Sequence, residues 1–79
     1  MKQTLTHPRQ LGHILRARRK ALGLTQRGLA KKLSITQNRL SQIEADPSAL
    51  ALGRLLDLAN ILGFDLIVQD RKSAARTDW

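Results

Sequence analysis

The 79-residue sequence predicts an all-α domain of four to five short helices with one short β-strand near its C-terminus. Two observations predict this architecture. Apolar residues recur at helical spacing in several stretches, each bounded by glycine, proline or a residue that favours a helix cap. Residues 64–69 instead combine bulky and β-branched side chains in the short run that is typical of a strand. We therefore expect a flexible N-terminus over residues 1–7, a folded domain over 8–70 and a flexible tail over 71–79.

The stretch from Thr25 to Glu44 predicts two short helices joined by a tight turn. Thr25 and Thr36 each precede a helix and carry the hydroxyl oxygen that accepts a free backbone N–H there. The inward positions are Leu29, Ala30 and Leu33 on the first helix and Leu40 and Ile43 on the second. The outward positions of the second helix are polar and free of acids: Gln37, Asn38, Arg39, Ser41 and Gln42. Such a face suits the reading of base edges in a DNA major groove; the alternative is a face that is merely solvated.

Six residues at these spacings resemble the helix-turn-helix of the Cro/repressor (XRE) family: Gln26, Ala30, Ile35, Leu40, Ile43 and Glu44. The resemblance extends from about Leu11 to Leu62 and implies a lambda-repressor-like helical bundle. Two positions depart from the family pattern. Ser34 occupies the turn position that is usually glycine, and Gly28 lies inside a helix, where it costs about 1 kcal/mol relative to alanine.

Charge divides the chain into two parts. Residues 1–43 contain ten lysines and arginines and no acidic residue, whereas residues 44–79 contain four basic and six acidic residues, for a net charge of +8. This asymmetry is typical of proteins that bind a polyanion. A membrane surface is the rival partner, but the basic half lacks the aromatic residues that settle at a lipid interface. RNA is a poorer partner, because Phe64 and Trp79 are the only aromatic residues and lie outside the basic half.

Several kinds of chemistry are disfavoured by the composition. There is no cysteine, and His7 and His13 are not spaced to share a helix face, so we expect no metal ion and no cofactor. The chain lacks a carboxylate pair at catalytic spacing and a glycine-rich phosphate loop, which argues against an enzyme. No apolar run approaches the ~20 residues of a membrane span, and no signal peptide is visible. We expect a protein of the bacterial cytoplasm that is associated with the nucleoid.

A further helix is predicted before the motif. Pro8 suits the first turn of a helix that runs to Leu22 and stops at Gly23. Its stripe consists of Leu11, Ile14, Leu15, Arg18 and Leu22. Off this stripe, Arg19 draws attention, because the family resemblance implies a partly buried, structural ion pair between Arg19 and Glu44.

Another helix is predicted after the motif. Following a break at Asp46–Ser48, it runs from Leu52 to Leu62 and ends at Gly63. Ser48 is a better cap than Ala51, so a short extra turn is expected before it. The stripe that is expected to close the core consists of Leu52, Leu55, Leu56, Ala59 and Leu62.

A second apolar line on this helix, Leu58 and Ile61, admits two interpretations, a wide core face or a subunit interface. The predicted strand bears on the choice, because a lone strand leaves its backbone N–H and C=O groups without partners. The same strand from a second copy would pair with it across a two-fold axis. We therefore predict a homodimer whose interface comprises Leu58, Ile61, Phe64, Leu66, Ile67 and Val68.

The outward face gives each residue an expected role on DNA. Adenine readout is assigned to Gln37 and Asn38, with Gln42 one turn further on; phosphate binding to Thr25, Gln26 and Arg27; and secondary contacts to Thr36 and Ser41. Arg39 takes either guanine or a phosphate. Two subunits would read half-sites about 10 bp apart, or a multiple of that spacing.

Within the family, the order of helix-turn-helix core, short strand and polar tail ending in Trp79 resembles HipB-type antitoxins. The resemblance implies a dimer that represses its own operon and holds a HipA-type serine/threonine kinase toxin inactive. Trp79 is then an anchor that fills a pocket of that partner, or it folds back onto its own domain. The alternative functions are a stand-alone XRE-family transcriptional repressor and the targeting subunit of a nuclease.

Overall fold

The computed structural model describes residues 1–71 and contains four α-helices and one 3₁₀ turn. The helices are α1 (Pro8–Ala21), α2 (Gln26–Leu33), α3 (Gln37–Ala45) and α4 (Leu52–Leu62), and the 3₁₀ turn covers Pro47–Ala49. Residues 64–71 contain no regular secondary structure. The predicted all-α class and the short turn before the last helix are confirmed.

Helices α1, α2 and α3 begin at residues whose side chains bind free backbone N–H groups. Thr25 and Thr36 are the predicted caps of α2 and α3, and each hydroxyl oxygen accepts the amide three residues further on, at 2.9 and 3.0 Å. His7 caps α1 in a reciprocal arrangement with Gln10, whose side-chain oxygen accepts the amide of His7 at 3.0 Å. Each cap satisfies a donor that the helix itself leaves unpaired, which fixes where the helix starts.

Three helices are followed by a residue in the left-handed backbone conformation: Gly23 (φ 72°), Ser34 (φ 59°) and Gly63 (φ 78°). In each case the amide of the next residue donates to the carbonyl oxygen five residues before it, which closes the end of the helix. Glycine adopts this conformation without steric cost, whereas a residue with a Cβ loses about 1–2 kcal/mol. Ser34 therefore forms the same turn as glycine at the expense of some stability.

The core contains side chains from all four helices. Its buried members are Leu15 from α1, Leu29, Ala30 and Leu33 from α2, Leu40 and Ile43 from α3, and Leu58 and Leu62 from α4. Partly buried apolar residues surround this cluster: Leu11, Leu24, Ile35, Leu50, Ile61 and Phe64.

Helix α4 contacts the core with only part of the predicted face: Ala59 and Leu62 are buried as predicted, at 3% and 0% exposure. The predicted stripe included Leu52 and Leu56, but these side chains are 68% and 45% exposed. Leu58 is 0% exposed and lies inside the core, so its assignment to a subunit interface is wrong. The error has a physical reason: apolar residues surround most of α4, and helical spacing alone does not say which of two apolar faces is buried.

The chain leaves α4 at Gly63 and continues without a strand in the described residues. Phe64 is partly buried against the core, whereas Leu66, Ile67 and Val68 are exposed. A strand needs a neighbour for its backbone groups, so the pairing of residues 64–69 with a second copy stays a prediction. Trp79 lies outside the described residues.

Helices α1 and α3 approach each other closely and share an ion pair. Gly12 is buried, and a Cβ at this position would collide with the backbone carbonyl of Glu44. Arg19 Nε donates to Glu44 Oε2 at 2.7 Å, and Arg19 Nη2 donates to Oε1 at 3.2 Å. The two side chains are 8% and 3% exposed. Because Arg19 Nη1 also donates to the carbonyl oxygen of Leu24 at 2.9 Å, the guanidinium joins α1, the turn after it and α3.

We expect Glu44→Ala to lower the free energy of unfolding by about 3–5 kcal/mol, because it leaves the buried Arg19 charge without a counter-ion. Replacing both partners, Arg19→Met with Glu44→Leu, removes both charges and should cost less than Glu44→Ala alone. Urea unfolding followed by circular dichroism measures each loss. Asp57→Ala, which removes an exposed helical carboxylate, is the control and should change stability by under about 0.5 kcal/mol. A Glu44→Ala midpoint equal to that of the wild type would show that the pair does not hold the fold.

Candidate nucleic-acid interface

Helix α3 presents a polar surface to solvent over most of its nine residues. The exposed polar side chains are Gln37, Asn38, Arg39, Ser41 and Gln42, and none of them is acidic. Leu40, Ile43 and Glu44 are buried on the opposite side. The buried residues pack α3 against the rest of the domain, and the exposed residues present hydrogen-bond donors and acceptors to solvent or to a partner.

The N-terminus of α2 is held beside α3 by a side-chain hydrogen bond. Gln26 Nε2 donates to Glu44 Oε1 at 3.1 Å, so Glu44 receives hydrogen bonds from both Arg19 and Gln26. The sequence predicts Gln26 as a phosphate ligand, and the structure adds this second role, which leaves one of its two side-chain N–H groups available. No local pattern could reveal the bond, because Gln26 and Glu44 are 18 residues apart in the chain.

The starts of α2 and α3 both offer backbone donors on the surface. Thr25, Arg27 and Thr36 are exposed, and the hydroxyl oxygens of the two threonines accept cap hydrogen bonds. The other amides of each first turn have no partner within the helix, and the helix dipole adds partial positive charge at the same place. Such ends favour anions, which is the property expected of a phosphate-binding edge.

Positive charge dominates the exposed surface of the first three helices. The exposed basic residues of these helices have no acidic partner within 4 Å in residues 1–71: Arg9, Arg16, Arg18, Lys20, Arg27, Lys31, Lys32 and Arg39. The buried Arg19–Glu44 pair is the ion pair of this part of the chain. Asp46 follows α3 directly. The amide of Ser48 donates to its carboxylate, and Arg9 and His7 lie close enough to add to the effect, so the pKa of Asp46 is held below its usual value. Asp46 therefore stays ionised at neutral pH and adds one negative charge at the C-terminal end of α3.

Two groups of predicted site residues, those assigned to DNA and those assigned to a dimer interface, lie within the described residues. The nine residues assigned to DNA lie on α2, α3 and the caps before them, within one contiguous stretch of the fold from Thr25 to Gln42. Of the interface residues, those at 66–68 are exposed, Ile61 and Phe64 are partly buried and Leu58 is fully buried. Among residues 1–71, no group of three or more potential metal ligands occurs. No helix in that part of the chain is long and apolar enough to cross a membrane.

Solved structures with a similar fold include two that contain HipB. A chain of a HipA–HipB–O2–O3 complex superposes with a TM-score of 0.77 at 30% sequence identity, covering 90% of this chain and 100% of that chain. A chain from a complex of a HipB variant with an O2 20mer superposes with a TM-score of 0.78 at 29% identity, covering 91% and 100%.

Sequence comparison identifies the family. An uncharacterized HTH-type transcriptional regulator of Sinorhizobium fredii is 36% identical over 58 residues, which cover 73% of this chain. The chain spans 30% of that regulator's length. A helix-turn-helix family model matches residues 15–68, which include α2, α3 and α4. This chain belongs to the XRE-type helix-turn-helix family, and its structure is similar to that of HipB.

Proposed function

We propose that this protein is a sequence-specific DNA-binding antitoxin that represses its own operon and holds a HipA-type serine/threonine kinase toxin inactive. The observation that carries the DNA-binding part is the exposed, acid-free face of α3, which is rigidly attached through Leu40, Ile43 and Glu44. The protein acts in the bacterial cytoplasm, on operator DNA in the nucleoid.

On DNA, α3 enters the major groove with its N-terminal end innermost. Gln37 and Asn38 occupy that end, and their side-chain amides form bidentate hydrogen bonds with adenine. Gln42 contacts a base from one turn further along the helix. Arg39 binds guanine or a phosphate. The start of α2 binds the phosphates through Thr25, Gln26 and Arg27, while Thr36 and Ser41 add secondary contacts.

Two copies are proposed to assemble through apolar surface that a single chain leaves exposed. Leu52 and Leu56 lie one turn apart on the outer side of α4, and residues 66–68 are exposed after it. Ile61 and Phe64 contribute the parts of their surface that the core does not cover. Pairing of residues 64–69 across a two-fold axis gives their backbone groups partners and relates the two α3 helices by the same axis.

The kinase partner is supported by similarity and by the order of the chain. One of the structures with which the protein superposes over 90% of its length is a complex that contains HipA and HipB. The polar tail over residues 71–79 ends in a tryptophan, a residue that is enriched among those dominating protein–protein binding energy. We assign Trp79 the role of anchor in a pocket of the kinase.

A stand-alone XRE-family transcriptional repressor is the second candidate function. It is favoured by the relative from Sinorhizobium fredii, which is an HTH-type transcriptional regulator. Both functions share the DNA-reading surface and differ in the role of residues 71–79.

Gln37→Ala should cost about 1–3 kcal/mol of specific DNA binding and relax the preference at one base position, because a two-point contact to a base edge is lost. Arg27→Ala should weaken binding to all sequences alike, because it removes a phosphate contact. Fluorescence anisotropy with the promoter of the protein's own gene and with a scrambled duplex measures both. Equal losses on the two duplexes for Gln37→Ala would contradict the readout assignment.

Leu56→Glu should shift the protein from dimer to monomer at micromolar concentration, because a charge would be buried in the proposed interface. Leu22→Glu is the matched control, since Leu22 is 44% exposed and Leu56 is 45% exposed. Light scattering coupled to size exclusion gives the mass of each variant. A wild-type protein that elutes as a monomer would rule out the dimer.

Deletion of residues 71–79 should abolish binding to a HipA-type kinase encoded beside this gene while leaving operator affinity unchanged. The proposed anchor acts on the kinase alone, so Trp79→Ala should reproduce most of the loss. Calorimetry with the purified kinase and anisotropy with operator DNA measure the two affinities. If the truncated protein binds the kinase as tightly as the full chain, Trp79 is not the anchor. If the full chain does not bind the kinase at all, the stand-alone repressor is the better description.

A further inference from the structure

Arg18 lies next to Arg19 on α1 but binds a different part of the molecule. Its Nε donates to the carbonyl oxygen of Leu62 at 2.8 Å, across 44 residues of sequence. Leu62 is the last residue of α4 and is fully buried, so this carbonyl is one of the four that the helix end leaves without an intrahelical partner. A cationic group is also favoured at this end by the helix dipole.

The same guanidinium covers the turn that follows α4. A Cβ built on Gly63 would lie 3.2 Å from Arg18 Nη2, so the guanidinium rests against the backbone of this residue. On the inner side, the Phe64 amide donates to the carbonyl oxygen of Ala59 at 2.8 Å, and the Phe64 ring is partly buried against the core. The turn is therefore fixed from outside by Arg18 and from inside by Phe64.

Adjacent residues of α1 thus bind the ends of two other helices. Arg19 binds Glu44 near the end of α3, and Arg18 binds Leu62 at the end of α4. The apolar residues 66–68 continue directly from the turn that Arg18 covers. Through α1, the direction in which this segment leaves the domain is coupled to the orientation of the DNA-reading helix.

We propose that Arg18 is a positioning residue that sets the distance and angle between the two reading helices of the dimer, and so the spacing of the half-sites it prefers. The role rests on the proposed dimeric DNA-binding function. A second copy pairs with residues 64–69, so a rotation of these residues at Gly63, within the range that the proposed Leu52 and Leu56 contacts of α4 allow, turns one domain relative to the other. Loosening the turn leaves the DNA-binding surface of each domain intact. It widens the range of half-site spacings that the two domains of the dimer can bind at the same time.

The test compares Arg18→Met with Arg16→Met. Both arginines are exposed, and both substitutions remove one positive charge from α1 and keep an apolar stem. Arg16 makes no side-chain hydrogen bond among the described residues, whereas Arg18 binds the Leu62 carbonyl oxygen. The probes are duplexes with one or two copies of the half-site that the wild-type protein selects from random DNA. The two copies stand at the best spacing, expected at about 10 bp or a multiple of it, and at one or two base pairs to either side.

We expect the two variants to bind a single half-site equally well. For each protein we compare the affinity at the best spacing with the affinity one base pair away from it. The fold loss of affinity should be at least about threefold smaller for Arg18→Met than for Arg16→Met or the wild type, because a loosened dimer tolerates the wrong spacing. Arg18→Lys keeps the charge and a donor at the end of the side chain, so its profile should lie between the two. If Arg18→Met has a lowered thermal midpoint, the spacing profile of Arg18→Lys is compared with that of Arg16→Met instead.

If Arg18→Met and Arg18→Lys show the same spacing profile as Arg16→Met, Arg18 has no positioning role and the proposal fails while dimeric readout stands. A wild-type protein that binds all spacings equally well would overturn dimeric readout itself, and the role of Arg18 with it. The wild-type profile therefore separates the two failures.

Discussion

The buried ion pair of Arg19 and Glu44 is the interaction on which the relative positions of α1, α2 and α3 depend. Burying two charges is expensive, and the attraction between them compensates only when the remaining donors and acceptors are also satisfied. Here the carboxylate also accepts from Gln26, and the guanidinium also donates to Leu24. No buried side-chain nitrogen or oxygen in the described residues lacks a partner. The pair thus contributes a defined geometry more than net stability.

Defined geometry matters because α3 has little stability of its own. A helix of nine residues is too short to persist in water without tertiary contacts. Leu40 and Ile43 supply the apolar part of those contacts, and Glu44 supplies the directional part. The exposed residues of α3 therefore do not stabilise the fold, and their side chains can vary with the DNA sequence that the protein binds. Changes at Arg19 or Gly12 would alter DNA recognition by moving α3, although neither residue belongs to its outer face.

The sequence predicted those features that depend on local chemistry. The caps at Thr25 and Thr36 and the left-handed turn at Gly63 follow from side chains and backbones within a few residues. Features that depend on distant packing were missed, except the Arg19–Glu44 pair, which the family resemblance implied. Apolar residues around most of α4 left its buried face undecided, so Leu58 and Leu56 were assigned to the wrong sides. The outward residues of α3 were predicted because Leu40 and Ile43 are its only large apolar residues, and these two positions are enough to define which face of the helix is buried.

Distant side-chain partners were the other kind of miss. Gln26 and Arg18 bind atoms 18 and 44 residues away, and no pattern within one helix contains that information. Both bonds connect a surface that is proposed to contact a macromolecular partner to the framework of the domain: Gln26 connects the start of α2, and Arg18 connects the segment after α4. Helix α1 carries Arg18 and Arg19 side by side, so it is the common support of both surfaces. A displacement of α3 strains the Arg19–Glu44 pair, and a displacement of the residues after α4 strains the bond from Arg18 to Leu62, so the proposed dimer segment and the proposed reading helix are both held by hydrogen bonds to α1.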